Sequence, residues 1–286
     1  MTEPDDFKRS RVAILGLGLI GGSLALALRG KCAMLLGLDT DPQVAAQAQA
    51  SGVVEQASTQ PQEVLPQADL LVLAAPVGGI IHILKQLPNW RPGSAVVMDV
   101  GSTKAEIMVA MQALPERFDP LGGHPMCGKE RGSLANAEAS LFKETAFALT
   151  ALPRTSLHAR QLAEQLVKAV GANPLWLPAD VHDRWVASTS HVPYLLANAL
   201  AASTPAEVQA LIGPGLRSTT RLAATPLSII MDVLATNRPN VLAALRKLQA
   251  QLDELATSLE TSDWLRLQAA LEHGHSQYDQ VIESKL

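Results

Sequence analysis

The sequence predicts an α/β protein in two parts, a doubly wound parallel sheet followed by an all-helical C-terminal region. First, short apolar runs alternate with helix-like segments as far as residue 177, which is typical of parallel βαβ units. Second, runs such as Leu70–Ala74 are apolar throughout, as in strands buried on both faces. Third, the chain after Pro178 is helical in pattern and rich in alanine and leucine. We therefore predict two domains, 1–177 and 178–286.

The elements of the first domain can be placed individually. The predicted strands are Val12–Leu15, Met34–Leu38, Leu70–Ala74, Ala95–Met98 and Thr145–Leu149, and the predicted helices are Leu19–Arg29, Pro42–Ala50, Gly79–Leu87, Lys104–Ala113 and Ser156–Val170. In the second domain, leucines recur every three or four residues from Leu242 to Leu259, which predicts one apolar helix stripe. Ser262 or Asp263 caps a last helix that begins at Trp264. The stripe serves packing on the sheet domain or pairing with another copy, and both uses remain open.

Composition excludes several classes of protein. Hydrophobic residues make up 48% of the chain, which excludes a disordered protein. Lysine plus arginine number 23 against 27 acidic residues, a net charge of −4, so binding of nucleic acid through broad phosphate neutralisation is disfavoured. Only Cys32 and Cys127 are present, which excludes a four-cysteine zinc site and disfavours a disulfide scaffold. No metal site is expected, and a reducing cytoplasm is the predicted location.

One uncharged stretch offers a competing interpretation as a signal peptide or membrane anchor. Val12–Leu28 contains 17 residues without a charge and follows a basic run. Four glycines interrupt it, and it falls short of the roughly 20 residues needed to span a bilayer. The sequence therefore predicts a cytoplasmic protein that does not bind membranes.

A glycine motif predicts a dinucleotide site. Gly16, Gly18 and Gly21 stand in the pattern Gly-x-Gly-x-x-Gly between a strand and a helix, and Asp39 closes the next strand 18 residues later. The glycines permit a tight turn, close approach to a pyrophosphate and close helix–strand packing. Leu19 and Ile20 begin the helix, whose free backbone N–H groups and positive dipole end would face the phosphates. Asp39 would accept from ribose hydroxyls and repel a 2′-phosphate, which favours NAD over NADP. The alternative is a glycine-rich turn in a nucleotide-free protein, and the rival acid Asp41 is expected to cap the next helix.

Two further strand ends should flank the cofactor at the carboxyl edge of the sheet. Ala75, Pro76 and Val77 follow one strand and have no reactive groups, so backbone and van der Waals contact with NAD is their predicted role. Ser102 follows the next strand. It belongs either to the active site or to the start of the helix at Lys104, or to both.

His124 is the predicted catalytic residue. It lies between a glycine pair and a proline, after the strand-like run Asp119–Leu121, which predicts an imidazole on a constrained loop near the nicotinamide. Hydride abstraction from a carbinol needs an acceptor for the hydroxyl proton, and neutral imidazole suits that task. The alternative is a histidine that is satisfied within a turn. Cys127 has no nucleophile partner nearby in sequence and is predicted to pack.

Several motifs together carry a family resemblance. They are Gly16-x-Gly18-x-x-Gly21-Gly22-Ser23, Asp99-Val100-Gly101-Ser102-Thr103-Lys104, Gly123-His124-Pro125-Met126 with Glu130 and Leu141-Phe142, and Ser190-His191-Val192-Pro193. In this order they resemble the prephenate dehydrogenase family, which includes arogenate dehydrogenases, over nearly the whole chain. The resemblance implies NAD-dependent oxidative decarboxylation of prephenate to 4-hydroxyphenylpyruvate in tyrosine biosynthesis.

The resemblance also implies roles for individual residues. His124 would engage the ring hydroxyl of the substrate, with Ser102 in the same cluster. Arg221 would hold the ring carboxylate, since the guanidinium fork suits a carboxylate. Further substrate contacts are implied for Arg217, His191 and Glu130. Arg217 and Arg221 are four residues apart, which predicts one helix face, and the alternative for both is a solvated basic face.

Departures from the family pattern leave alternatives open. Tyr194 stands where the family often has a second histidine, and Gly132-Ser133 replaces the usual Ser-Gly. His182-Asp183 resembles a family segment and is predicted to be structural. The rival activities are arogenate dehydrogenase, another two-domain dehydrogenase or imine reductase, and a non-catalytic NAD(H)-sensing module. A homodimer through the helical domain is expected.

Overall fold

The first part of the chain folds around one eight-stranded sheet. The computed structural model describes residues 6–129 and 132–283, without the side chains of residues 6, 228, 229 and 283. The strands are β1 (Arg11–Leu15), β2 (Met34–Leu38), β3 (Gln56–Ser58), β4 (Leu70–Leu73), β5 (Ala95–Asp99), β6 (Phe118–Pro125), β7 (Ala146–Ala151) and β8 (Asn173–Trp176). Their order is β3-β2-β1-β4-β5-β6-β7-β8. The chain reverses its winding between β1 and β4, which is where ligands bind in sheets of this type.

α-Helices connect most of the strands and are the main elements after β8. They are α1 (Asp6–Arg9), α2 (Leu19–Leu28), α3 (Pro42–Ala50), α4 (Pro61–Val64), α5 (Val77–Trp90), α6 (Ala105–Gln112), α7 (Leu157–Ala169), α8 (Ala179–Val186), α9 (Val192–Ser203), α10 (Pro214–Thr220), α11 (Leu227–Thr236), α12 (Arg238–Glu260) and α13 (Trp264–Tyr278). The predicted α/β class, with a sheet domain before a helical region, is confirmed. The predicted cap of the last helix is Asp263, whose carboxylate accepts from the N–H of Arg266.

Successive side chains of the strands enter two separate apolar cores, one on each face of the sheet. In β1, Val12 and Ile14 belong to one cluster, whereas Ala13 and Leu15 belong to the other. Alternation along a strand sends neighbouring side chains to opposite faces. The uninterrupted apolar runs in the sequence therefore mark strands that are buried on both sides, as predicted.

One strand pair differs from the parallel pattern and corrects a prediction about His124. β6 is antiparallel to β7 and pairs His124 with Ala148, although its pairing with β5 reaches only Leu121. The antiparallel partner extends β6 beyond the predicted run, so His124 lies within a strand and not on a loop. Strands β3 and β8 were missed because Gln56–Ser58 is short and polar and Asn173–Trp176 contains a proline.

The helical region divides after α11. The chain separates into two compact units, Met1–Arg238 and Pro239–Leu286. The second unit consists of α13 and all but the first residue of α12, and Leu242, Leu252 and Leu259 of the predicted stripe are exposed. The functional boundary at 177/178 stays a prediction. Among the described helices, none combines the length and the apolar character required to cross a bilayer.

Candidate active site

A cleft of about 620 Å³ lies at the carboxyl edge of β1, β2 and β4. Five of the residues predicted to bind the cofactor line it, namely Gly16, Gly18, Asp39, Ala75 and Pro76. The other four begin the two helices that follow β1 and β4: Leu19, Ile20 and Gly21 form the first turn of α2, and Val77 is the first residue of α5. Residues that were predicted from one motif and two strand ends therefore converge at one edge of the sheet.

The three positions of the motif are glycine for different physical reasons. Gly16 has φ +98°, and a Cβ there would lie 2.4 Å from the carbonyl oxygen of Ala74. A Cβ on Gly21 would lie 1.8 Å from the carbonyl oxygen of Gly16. At Gly18 a Cβ would meet no atom within 4 Å. Gly16 and Gly21 are thus required by packing, while Gly18 leaves open space in front of the N-terminus of α2, as a bound pyrophosphate requires.

The Asp39 carboxylate also supports the glycine turn. Its Oδ2 accepts from the N–H of Leu17 at 2.7 Å, and its Oδ1 accepts from the N–H of Asp41 at 2.9 Å. Asp41 accepts from the N–H of Gln43 at 2.8 Å and so caps α3, as predicted. A carboxylate oxygen has more than one lone pair, so these bonds leave Asp39 able to accept from ribose hydroxyls while it fixes the turn.

The residues after β5 correct the alternative interpretation of Ser102. Helix α6 begins at Ala105, and the N–H groups of Lys104 and Ala105 donate to the two carboxylate oxygens of Asp183, at 2.7 and 2.8 Å. The cap of α6 is therefore Asp183, from a segment 79 residues away. Ser102 is half-buried at the carboxyl end of β5 and does not cap the helix.

A buried ion pair holds the strand that carries His124. Lys104 and Asp99 are fully buried and paired with each other. Lys104 Nζ donates to the carbonyl of Gly123 at 2.6 Å, and the N–H of Gly123 donates to Asp99 at 3.3 Å. A Cβ on Gly123 would lie 2.6 Å from Met98 and 2.7 Å from the carbonyl of Asp99. Glycine is required before His124 because a Cβ has no room there, while the ion pair holds both polar groups of the Gly123 backbone in place.

His124 is linked to a histidine that was predicted to be structural. Nδ1 of His124 lies 2.9 Å from Nε2 of His182, and Nδ1 of His182 lies 2.8 Å from Oδ1 of Asp183. The two rings meet edge to face, with centroids 5.1 Å apart and planes at 68°. Within residues 6–129 and 132–283, this is the only hydrogen bond of the His124 side chain. The series His124–His182–Asp183 was missed by sequence reasoning, although the adjacent His182-Asp183 pair was a signal for it.

Electrostatics keep the His124 ring neutral. Burial is the main cause that lowers the pKa of His124 well below its usual value near 6.5. The His182 ring, the Lys104 ammonium and the His191 ring lower it further, in that order. A neutral imidazole at neutral pH is the state that a proton acceptor requires.

His191 belongs to the same hydrogen-bonded cluster through Asn237. The Nδ2 group of Asn237 donates to the backbone carbonyl of Asp183 at 2.6 Å and to Nδ1 of His191 at 3.2 Å. Burial lowers the pKa of His191 to about 4, partly opposed by Asp183. His191 ends a π-helical turn, Ala187–His191, directly before α9, where Pro193 lies in the first turn. No sequence signal singled out Asn237.

The predicted arginines lie in a different segment. Arg217 is in α10 and lines a cavity of about 410 Å³ with residues of α9 and the following turn. Arg221 follows the end of α10, as the first residue of a 3₁₀ turn, and both arginines are exposed. Helical backbone continues through Arg221, which is consistent with one shared face. Glu130 lies outside the described residues.

The structure also shows the surroundings of Cys127 and Tyr194. Cys127 is partly buried against the core, and burial raises the pKa of its thiol to about 11, so it packs as predicted. Tyr194 is buried and packs with Ile230 and Val233. In the part of the chain that the structure describes, no group of three or more His, Cys, Asp or Glu residues is arranged to hold a metal ion.

Two family models match consecutive parts of the chain. Residues 24–175 match the nucleotide-binding domain of prephenate dehydrogenase, and residues 178–273 match its dimerization domain. The chain belongs to the prephenate dehydrogenase family. This membership confirms the predicted family resemblance, the dehydrogenase class and the NAD cofactor, and it indicates a dimer-forming family without showing the partner of this chain.

Individual relatives agree with this assignment. The Bacillus subtilis prephenate dehydrogenase is 28% identical over 267 residues, which is 89% of this chain and 71% of that protein. The Aquifex aeolicus prephenate dehydrogenase, solved with hydroxyphenyl propionate and NAD+, superposes with a TM-score of 0.86 at 24% identity and covers 95% of this chain and 98% of its own. The Synechocystis arogenate dehydrogenase has a TM-score of 0.81 at 26% identity and covers 95% and 100%.

Proposed function

We propose that this chain catalyses the NAD-dependent oxidative decarboxylation of prephenate to 4-hydroxyphenylpyruvate, and that His124 is the proton acceptor. The observation that carries this proposal is a neutral, partly buried imidazole at the carboxyl end of β6, at the same sheet edge as the glycine cleft. Family membership and the relatives named prephenate dehydrogenase support the choice of substrate.

The cleft residues would hold NAD, which supplies the hydride acceptor when it is bound. Gly16, Gly18 and the first turn of α2 would receive the pyrophosphate, and Asp39 would accept from the adenosine ribose hydroxyls. Ala75, Pro76 and Val77 would contact the cofactor through backbone and apolar atoms. These assignments are supported by the open space at Gly18 and by the shared cleft lining.

His124 would accept the proton of the ring hydroxyl while hydride leaves the same carbon. The oxygen then becomes carbonyl-like, the ring carboxylate leaves as carbon dioxide, and its bonding electrons complete the aromatic ring. The proton returns to the phenolate oxygen, so no net proton is released. Ser102, at the end of the neighbouring strand, would hydrogen-bond the same oxygen and orient it.

Prephenate carries two carboxylates, which require cations or neutral donors. Arg221 would hold the ring carboxylate through a two-point contact, with Arg217 as a weaker second cation. Because Asn237 donates to Nδ1 of His191, the neutral His191 ring carries its proton on Nε2 and can donate it to substrate. Glu130 is proposed near the entrance of the pocket.

The arrangement of domains and copies is also a proposal. Residues 1–177 would form the cofactor domain and residues 178–286 the substrate and dimerisation domain of a homodimer. The dimerization-domain match and the exposed leucines of α12 support this arrangement. A cytoplasmic location is supported by two free cysteines.

The test is NADH formation, followed by absorbance, with prephenate or arogenate and with NAD or NADP. We expect the highest kcat/KM with prephenate and NAD, and we expect His124→Asn to lower kcat about 10²–10⁴-fold. Higher kcat/KM with arogenate would transfer the function to the second candidate, for which the Synechocystis neighbour is the supporting observation. Cofactor binding without turnover of either substrate would favour the non-catalytic NAD(H)-sensing module.

A further inference from the structure

A buried carboxylate ends the series of hydrogen bonds that starts at His124. Asp183 accepts three bonds, from Nδ1 of His182 and from the backbone N–H groups of Lys104 and Ala105. Burial disfavours its charge, but these three bonds outweigh burial and hold the pKa of the Asp183 carboxyl below its usual value. An ionised carboxylate is acceptor-only, so Nδ1 of His182 must carry a proton.

The proton on His182 Nδ1 determines the positions of the others. A neutral imidazole carries one N–H, so Nε2 of His182 is a bare acceptor. The contact of 2.9 Å to His124 then requires an N–H on Nδ1 of His124. The remaining ring nitrogen, Nε2 of His124, is left with a lone pair, which is the form that accepts a proton.

We infer that His182 and Asp183 are positioning residues that fix the tautomer of His124, so that its Nε2 is the proton acceptor of the reaction. The inference rests on the proposed function only in naming the ring hydroxyl of prephenate as the group that gives up the proton. When Nε2 takes the hydroxyl proton, His124 becomes a cation that donates through Nδ1 to His182. His182 donates in turn to Asp183, whose negative charge stabilises the cation through the intervening ring. The same proton returns to the phenolate oxygen, so no further reactant is needed.

The geometry of Asp183 explains why the series is rigid. The same carboxylate caps α6, the helix that follows the Ser102 loop, and the backbone carbonyl of Asp183 accepts from Asn237. His182 and Asp183 are each only 1% exposed. The tautomer of His124 is thus tied to packed elements rather than to a mobile side chain.

The direct test is nitrogen-15 NMR of the histidine rings in the substrate-free protein. His124 signals are assigned by their loss in His124→Asn. We expect the proton of His124 on Nδ1 and a bare Nε2, although free imidazole side chains prefer the opposite tautomer in water. A wild-type His124 with its proton on Nε2 would overturn the inference. That result would also be seen if a doubly protonated His182 donated through its Nε2 to Nδ1 of His124.

Three variants provide the kinetic test. His182→Phe removes the acceptor, so the Nε2–H form of His124 should become dominant and kcat should fall about 10²–10⁴-fold, the scale for a triad that has lost its orienting group. KM for prephenate and Kd for NAD should change less than threefold. His182→Gln offers an amide oxygen to Nδ1–H and should recover part of kcat together with the Nδ1–H tautomer. The control, His158→Phe, removes an exposed histidine of α7. It should change neither kcat nor the tautomer of His124.

The outcomes separate the inference from the proposed function. If His182→Phe and His182→Gln lose kcat equally, or if kcat survives in folded His182→Phe, the residue only packs and the inference fails. If neither folds, the wild-type tautomer alone decides. If His124 carries its proton on Nδ1 but prephenate is not turned over, the inference is supported and the proposed function is contradicted. If prephenate is turned over but the proton is on Nε2, the proposed function is supported and the inference fails.

Discussion

The cofactor cleft and the His124 cluster lie at the same edge of one sheet but are constructed in different ways. The cleft is formed largely by backbone: a turn at Gly16, open space at Gly18 and the first turn of α2. The His124 cluster is formed by side chains from β6, α8, the π-helical turn before α9 and the end of α11, and the bonds between these elements join residues 46 to 58 positions apart. A backbone site tolerates many side-chain changes but no Cβ at its tight contacts, whereas a side-chain cluster depends on each functional group.

The two regions also handle buried polar groups differently. Asp39 uses its carboxylate to fix the local glycine turn. In the His124 cluster, charged Asp99, Lys104 and Asp183 are buried, and each is compensated by several hydrogen bonds. Removing one partner of such a group leaves an unpaired buried charge, which costs far more than the bond itself contributes. Substitutions in the two regions should therefore differ in their effects on Kd for NAD, on kcat and on the free energy of unfolding.

The largest expected effect is on the chemical step. His124→Asn removes the proton acceptor, so kcat with prephenate should fall about 10²–10⁴-fold. Kd for NAD, measured by titration, should stay within threefold because the cleft is formed by other residues. Near-normal kcat in the folded variant would return His124 to a purely structural role and would break the contrast between the two regions.

The next largest effect concerns the ring carboxylate. A charge-assisted hydrogen bond contributes about 1.5–3 kcal/mol, so Arg221→Ala should raise KM for prephenate roughly 10- to 150-fold, at 1.4 kcal/mol per tenfold. Arg221→Lys should recover only part, since an ammonium lacks the planar two-point contact, and Arg217→Ala should cost less. An unchanged KM together with a lower melting temperature would assign Arg221 to the fold.

The backbone character of the cleft can be tested with two alanines. Gly21→Ala forces a Cβ to within 1.8 Å of a backbone carbonyl oxygen, so the free energy of unfolding should fall by about 1–3 kcal/mol, the usual range for overpacking. The matched variant Gly18→Ala meets no atom within 4 Å and should melt like the wild type while Kd for NAD rises. Equal losses of stability in denaturant titrations of both variants would refute the distinction.

A smaller effect appears in the pH profile. The lowered pKa of His124 means that its ring stays neutral as pH falls through 6.5. An ordinary imidazole with a pKa of 6.5 would be about nine-tenths protonated one pH unit lower, and kcat would fall about tenfold. We expect a smaller loss of kcat than this at pH 5.5 in protein that circular dichroism shows to be folded. A midpoint near 6.5 would mean that the cluster does not shift His124.

The smallest effect concerns cofactor choice. Asp39 should repel a 2′-phosphate, so the wild type should prefer NAD, and Asp39→Ser should erode that preference. Because Asp39 also accepts from Leu17, kcat/KM with NAD should fall at the same time through a looser turn. Wild-type kcat/KM values that are equal for NAD and NADP would contradict this assignment.

The sequence by itself determined the α/β class and the glycine cleft, and it predicted His124 as the catalytic residue. These features depend on local constraints: apolar periodicity, glycines that no other residue replaces at tight backbone contacts, and an acid at the end of the next strand. Tertiary structure alone decided that β7 runs antiparallel and extends β6 through His124, that Asp183 caps α6, and that His182 and Asn237 join the cluster. The contacts of Asp183, His182 and Asn237 depend on how α8 packs against α6 and α11 against α5. Packing between distant segments leaves no periodic signal in the chain, and the adjacent His182-Asp183 pair was the one local hint of it.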